Sequence, residues 1–596
     1  MWLAITGGAD LDIFHLRVTS HDPWRPAIAA LVALAIFVAA KGRWSTVRGW
    51  IDAADRVDER FLAGALALGL TIAGITYATT VAGGSDSYGY VSEADLWLKG
   101  QLMTPQPWMF DAPWPGKRWS FVPLGYMPGN TLRNSESIVP VYSPGLPLLM
   151  AGAKLVGGQE GVFWVVPMLG GVMAMATFGI GRRLGSPRAG LIGALLVATS
   201  PIVLFMIMAP MTDVAVAGAW AAAFYFLLGE SRASALAAGL TSAVAILIRP
   251  NISFEAAVLG VWYLMRAWRS GAWRHELLRA GLFALGPATG YAAVAMINKS
   301  LYGSPLTSGY GAIVEEFTRD NIPVNARLYA QWFIDVHTPA ALIGFLPLIL
   351  PLKWFWPSAK DRAIFLVIGA FVALILLEFF EFLVFDVWWY LRFLLPCLPF
   401  VMLGVGAVAT AVARAGKPVG AVVVAVLVIG LGIRDFREAS DRGAFWSWRG
   451  DRRYVAAAQM ARQMTEPAGI IYSMQHSGSL RYYSGRLTVR YDGIDADWLD
   501  RSVSWFQSRG VHPYVLLEEW EIEPFKRRFA GASSLALLDG APMFAYEGAA
   551  RIFLFDLAGP ITASTVNVVD TYTEPLRSVP PATTETLTLG HAAAVR

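Results

Sequence analysis

Apolar runs long enough to cross a bilayer recur through the first 434 residues, at about 26–41, 61–82, 161–181, 189–208, 211–229, 234–249, 252–268, 278–297, 339–355, 363–384, 391–414 and 418–433. A chain in hydrocarbon finds no water for its N–H and C=O groups, so each run must close its own hydrogen bonds as a helix. Residues 1–434 are therefore expected to form an all-α polytopic membrane bundle of about twelve transmembrane helices. With 55% hydrophobic and only 15% charged residues among 596, the chain is too apolar for a soluble globule of this size. Its 23 Trp and 20 Tyr suit two aromatic interface belts. Cys397 is the single cysteine, which excludes an intrachain disulfide and a cysteine-based metal site. The net charge of +4 is modest, and the arginines fall at apparent helix ends, so there is no nucleic-acid signature. Asp10, Asp12 and Asp22 with no basic leader argue against a cleaved signal peptide.

Lys and Arg orient the bundle, because cytoplasmic loops collect them. Alternate loops hold Lys41, Arg43, Arg48, Arg56 and Arg60; Arg182, Arg183 and Arg188; Arg232; Arg266, Arg269, Arg274 and Arg279; Lys353, Lys360 and Arg362; Arg414 and Lys417. The loops 83–143 and 298–338 are longer and poorer in such residues. These two loops, the N-terminus and everything beyond about 434 are expected outside.

The first outer loop carries structure of its own. Tyr90, Ala94 and Trp97 share a helical stripe opposite Ser92, Glu93, Asp95 and Lys99, which predicts a helix over 88–99 lying in the interface. The stretch from Ser143 to Val156 predicts a second surface or re-entrant helix. Beyond the last span, 469–473, 487–490 and 513–517 have strand composition and alternate with helical stretches near 477–484 and 496–510. An extracytoplasmic α/β domain is expected over 435–560, with a Thr/Pro-rich, disordered tail over 561–596.

An acid directly after a membrane helix is a functional-site candidate, because its desolvation must be offset by a partner or a task. Here it is Asp86, in Gly83-Gly84-Ser85-Asp86-Ser87-Tyr88-Gly89-Tyr90. Together with Tyr142-Ser143-Pro144-Gly145-Leu146-Pro147, Pro210-Met211-Thr212-Asp213, Arg249-Pro250-Asn251, Tyr302-Gly303-Ser304-Pro305 and Tyr390-Leu391-Arg392-Phe393-Leu394-Leu395-Pro396, this order of motifs resembles the GT-C superfamily of lipid-linked-sugar glycosyltransferases, especially its protein O-mannosyltransferase and aminoarabinose transferase branch. The resemblance covers about residues 60–415. It implies a bacterial inner (plasma) membrane protein whose first-loop aspartate acts near the acceptor while the sugar arrives on a polyprenyl phosphate. Ser87 stands where the family often has a second acid, which weighs against a paired-carboxylate or metal role. Ser143 stands where some members have lysine, so another cation must meet the donor phosphate.

Sugar transfer from a lipid phosphate needs a base for the acceptor proton and positive charge for the departing phosphate. Asp86 is the candidate base, with capping of the following helix as its plain structural alternative. Arg392 is the first candidate for the phosphate, against a snorkelling interface arginine. Arg249 either meets phosphate or pairs with Asp213, and Asp213 either positions a substrate or caps its helix. Lys299 is a third phosphate candidate, or a solvated loop charge. Tyr90, Tyr142, Tyr302 and Tyr310 are candidates to line a sugar pocket, or interface packing. Glu378 and Glu381 lie one turn apart near a helix end, and His476 is read as a surface residue. No cofactor is expected, with a divalent metal left open. The expected partners are a polyprenyl-phosphate sugar, a lipid, glycan or protein acceptor, and membrane lipids. The leading reading is an inverting membrane glycosyltransferase; the alternatives are a lipid or amphiphile transporter or flippase, and an inert scaffold.

Overall fold

The computed structural model describes residues 9–13, 16–20, 57–106, 108–269, 271–312, 316–359, 362–559 and 564–582; the expected span at 26–41 and its flanking Lys41, Arg43, Arg48 and Arg56 lie outside them. Among the described residues, six helices are long and apolar enough to cross a membrane: Glu59–Tyr77, Gly145–Arg183, Trp273–Tyr302, Ile364–Glu381, Trp388–Ala415 and Val419–Asp441. A seventh is gained if Arg319–His337 and Pro339–Ile349, which meet at 113°, count as one broken span. Pro187–Thr199, Thr212–Leu227 and Arg232–Ile248 are shorter apolar helices. Of the expected twelve or so spans, these six or seven are the ones supported by length and composition among the described residues.

Proline and serine account for much of the difference. The run at 189–208 breaks at Ser200-Pro201, where Ser200 caps a new six-residue helix and Pro201 supplies no donor to the preceding one. The run at 339–355 breaks into Pro339–Phe345, Leu346–Ile349 and Leu352–Phe355, with prolines at 339, 347 and 351. Within Gly145–Arg183 the chain kinks at Gly158, whose φ of 60° and ψ of −150° suit only glycine. The segment 145–157 is thus a separate arm, as its short apolar length suggested.

The first outer loop does hold a helix, Asp86–Leu98, yet its environment differs from the expected one. Its polar side is covered by protein. Ser92 Oγ meets Tyr126 Oη at 2.7 Å, Asp95 pairs with Lys154 at 2.5 Å and accepts from Tyr482 Oη at 3.0 Å, and Glu93 is 2% exposed. The helix lies between the Gly145–Arg183 helix and the C-terminal domain, so the period that separated two faces marked two protein contacts.

Glu93 makes a pH prediction. Burial raises its carboxyl from 4.5 to about 8, outweighing the hydrogen bond from Trp97. The unfolded chain gives up this proton near 4.5 and the folded chain keeps it to about 8, so stability falls as pH rises through that window and levels off above it. Glu93→Gln keeps an acceptor for Trp97 and cannot ionise. Its unfolding temperature is expected to match wild type at pH 4 and exceed it at pH 8, by a stabilisation of a few kcal/mol at most. Equal melting at both pH values would refute this.

In the C-terminal region six strands form one mixed sheet: β1 (Ile470–Tyr472), β2 (Leu487–Val489), β3 (Pro513–Glu518), β4 (Phe544–Glu547), β5 (Arg551–Asp556) and β6 (Val566–Val569). Their spatial order is β6-β4-β5-β3-β1-β2. β2, β1 and β3 run parallel, with Ile471 opposite both Thr488 and Tyr514. β5 is antiparallel to β3 and β4, and β6 runs parallel to β4. Helices at 447–464, 499–507 and 519–528 complete this unit. His476, read as a surface residue, is fully buried and meets Glu518 at 2.9 Å. The tail expected to lack structure from 561 contributes β6 and then, to residue 582, an extended strap. Along it Leu576 O accepts from Thr80 Oγ1 at 2.7 Å, Ser578 N donates to Glu160 at 2.8 Å, and Ala582 N donates to Tyr482 O at 2.7 Å. Backbone groups satisfied in this way hold a low-complexity segment in place.

Candidate active site

Four elements deliver charge to one end of the bundle. Asp86 opens the Asp86–Leu98 helix, Asp213 lies in the first turn of Thr212–Leu227, Arg249 ends Arg232–Ile248, and Arg392 sits in the 3-10 segment Trp388–Cys397. Both acids occupy helix starts, where the exposed N–H groups favour negative charge.

Asp213 is 1% exposed and forms the centre of the cluster. Its Oδ1 accepts from Arg249 Nη2 at 2.6 Å and lies 3.9 Å from Arg392 Nε. Arg249 Nη2 also reaches Thr212 Oγ1 at 2.9 Å. Of the alternatives for Arg249 and Asp213, their mutual pairing is therefore realised. Removing one partner from such a pair leaves a buried charge, a loss of about 3–5 kcal/mol.

Arg392 is held differently. Its guanidinium lies 5.0 Å from the Tyr390 ring centroid and 5.2 Å from that of Phe393, with Nη1 3.4 Å from Met211 Sδ. Its Nη2 stands 4.0 Å from Asp86 Oδ2. Arg392 Nε, Arg249 Nη1 and Asp213 Oδ2 are buried without a hydrogen-bond partner among the described residues. The two guanidinium nitrogens, strong donors in that state, are suited to an anionic ligand.

Asp86 does not cap its helix. Ser85 is the N-cap, and the Asp86 carboxylate accepts from Tyr142 Oη at 2.6 Å, leaving Oδ2 turned toward Arg392. Tyr142 packs its ring 4.4 Å from that of Tyr90 and 6.1 Å from that of Tyr310. Burial, reinforced by the Asp86 charge, raises the Tyr142 and Tyr90 hydroxyls above the usual tyrosine value, so both stay protonated donors.

Two sequence candidates fall outside this cluster. Tyr302 is buried with Val139 and Leu301, its hydroxyl donating to Pro140 O at 2.8 Å. Lys299 is exposed on the last turn of Trp273–Tyr302. Asn251 donates to Glu378 at 2.9 Å inside the bundle, which gives Glu378 a partner that the sequence did not disclose. Tyr454, Gln475 and Tyr483 approach the Asp86 turn from the C-terminal domain; separations of several hundred residues left no local signal for them. Among the described residues no group of three or more His, Cys, Asp or Glu forms a metal site.

No family model and no curated protein matches this chain. Among solved structures, ArnT from Cupriavidus metallidurans bound to undecaprenyl phosphate is similar over 86% of this chain and 99% of that one, at 15% identity and a TM-score of 0.51. The Archaeoglobus fulgidus oligosaccharyltransferase tethered to an acceptor peptide aligns over 81% of this chain and 72% of its own, at 12% identity and a TM-score of 0.46. Mycobacterial arabinofuranosyltransferase AftD aligns over 84% of this chain and 40% of its own, at 14% identity and a TM-score of 0.47. At 15% identity what is shared with ArnT is the fold. The chain has the fold of ArnT on a multi-pass helical membrane scaffold.

Proposed function

We propose that this protein is a membrane glycosyltransferase that moves a sugar from a polyprenyl-phosphate donor to an extracytoplasmic acceptor at the bacterial plasma membrane. The convergence of Asp86, Arg392, Asp213 and Arg249 at one rim carries this reading. The fold shared with ArnT, solved with undecaprenyl phosphate, supports the donor class. Arg182, Arg183, Arg188, Arg232 and Arg414 occupy the other helix ends, and this asymmetry supports an outward-facing site.

In the proposed step Arg392 grips the donor phosphate and Asp213 orients both arginines. The acceptor hydroxyl gives its proton to Asp86 Oδ2 while its oxygen forms a bond to the anomeric carbon. The bond from that carbon to the phosphate oxygen breaks on the opposite face, and the electron pair leaves with the polyprenyl phosphate. One displacement inverts the centre and needs no covalent intermediate.

Purified protein in proteoliposomes, supplied with polyprenyl-phosphate sugars and with lipid, glycan and peptide fractions of the cell envelope, tests the class. Release of polyprenyl phosphate with sugar on one fraction is expected, without movement of the lipid between leaflets. Lipid movement with no transfer would instead make the protein a flippase. Envelope glycan mass spectrometry of a deletion strain then identifies the acceptor.

A further inference from the structure

The turn that carries Asp86 is clamped from the far end of the chain. Ala82 N donates to Tyr483 Oη at 2.7 Å across 401 positions. Gly83 lies flat on the Tyr454 ring, so that a Cβ there would fall 2.2 Å from Tyr454 Cδ2. Gly84 follows with φ of 61°, beside Tyr454 Oη and Gln475 Nε2. The first helical turn hangs from this segment through Tyr88 N to Gly83 O at 3.3 Å and Gly89 N to Ser85 O at 2.9 Å.

Tyr454 has little room to yield. It is buried, and its hydroxyl accepts from Gln475 Nε2 at 2.7 Å and Arg453 Nη2 at 3.1 Å. Glu518, which begins the cap of the 519–528 helix, accepts from Arg453 Nε at 2.8 Å and Trp520 Nε1 at 2.8 Å and meets His476 Nε2 at 2.9 Å. Arg249, Asp213 and Arg392, by contrast, are set by the apolar helices of the bundle.

We propose that Tyr454, seated by the Glu518 network, and Tyr483 are positioning residues through which the C-terminal domain fixes the Asp86 carboxylate relative to Arg392. This rests on the glycosyltransferase reading for its effect on turnover, though not for its geometry. Misplacing a reacting group by about 1 Å can slow a reaction about a hundredfold.

Gly83→Ala is therefore expected to lower turnover at saturating donor about a hundredfold, with the donor KM within about twofold of wild type. Tyr454→Ala, which removes the ring, is expected to lower turnover as well, and the double variant no further than the worse single variant, because both changes act through one contact. An independent readout uses the single cysteine. In a Cys397→Ala background, maleimide labelling of Asp86→Cys reports the exposure of the turn whatever chemistry Asp86 performs. Its rate should shift several-fold on Gly83→Ala and on Tyr454→Ala, and no further in the double variant. Tyr483→Phe, which removes only a hydroxyl, should shift it in the same direction if Gly83→Ala does not fold. Unchanged labelling and turnover in Gly83→Ala or in folded Tyr454→Ala, or fully additive losses in a folded double variant, overturns the proposal. Labelling that follows the pattern while no protein, wild type included, transfers sugar would leave the positioning intact and reject the glycosyltransferase.

Discussion

Asp86→Asn is expected to lower sugar transfer by a factor on the order of 10²–10⁴, the range that a positioned general base contributes. The substitution is nearly isosteric. The Asn amide oxygen still accepts from Tyr142, which now donates to Asp86 at 2.6 Å, so the turn keeps its place while the oxygen facing Arg392 gives way to an amide nitrogen without basic character. Donor affinity should fall little, because the proposed mechanism gives the phosphate to Arg392. Tyr142→Phe makes the complementary change: the ring remains against Tyr90 and the carboxylate loses its anchor. A smaller loss, about tenfold, is expected there, with basic chemistry retained. Initial rates at saturating donor, alongside melting curves that show both variants folded, decide the matter. Wild-type turnover in Asp86→Asn would remove the base from the mechanism.

The candidate cluster was legible in the sequence because its charges violate the rule of the segments around them. Asp86, Asp213, Arg249 and Arg392 each interrupt or border an apolar run, where an unpaired charge is costly. What the runs could not reveal is how the charges pair. Asp213 joins Arg249 as one of the sequence alternatives allowed, whereas the stand-off between Arg392 and its two acids depends on Tyr390, Phe393 and Met211 holding the guanidinium. Lys299 and Tyr302, at the start of the second outer loop, have the residue types of the other candidates yet point elsewhere, since nothing local marks a hydroxyl that bonds Pro140. The Asp86–Leu98 helix shows a second limit. Periodicity finds two faces and cannot tell water from the surface of another domain. In the C-terminal domain β1 to β3 were read correctly, while the β4–β5 hairpin was missed although its aromatic strands flank Gly548. The break of the 339–355 run was also legible in its prolines, and length alone had hidden it.

Arg392→Ala should reduce affinity for a polyprenyl phosphate about a hundredfold, as expected from losing roughly two charge-assisted hydrogen bonds. The choice between the two arginines follows from how their donors are spent. Arg249 is tied by one nitrogen that serves both Asp213 and Thr212 while its Nη1 stays unpaired, and its removal would strand a carboxylate that is 1% exposed. Arg392 stands 3.9 and 4.0 Å from its acids, beyond good hydrogen-bond distance, with its buried Nε unpaired. A phosphate can therefore claim its donors without first breaking a strong bond, so the net gain on binding is larger. Because Arg392 is held by ring faces and a thioether whereas Arg249 is held by a 2.6 Å ion pair to buried Asp213, its loss should disturb the fold less than the loss of Arg249. Arg392→Lys keeps the charge and loses the planar fork, so an intermediate affinity is expected. The measurement pairs polyprenyl phosphate with the corresponding polyprenol. Binding of the phosphate should collapse in Arg392→Ala while the alcohol binds as it does to wild type. An equal loss of both ligands, or equal sensitivity of Arg249→Ala and Arg392→Ala in folded protein, would take the phosphate away from Arg392.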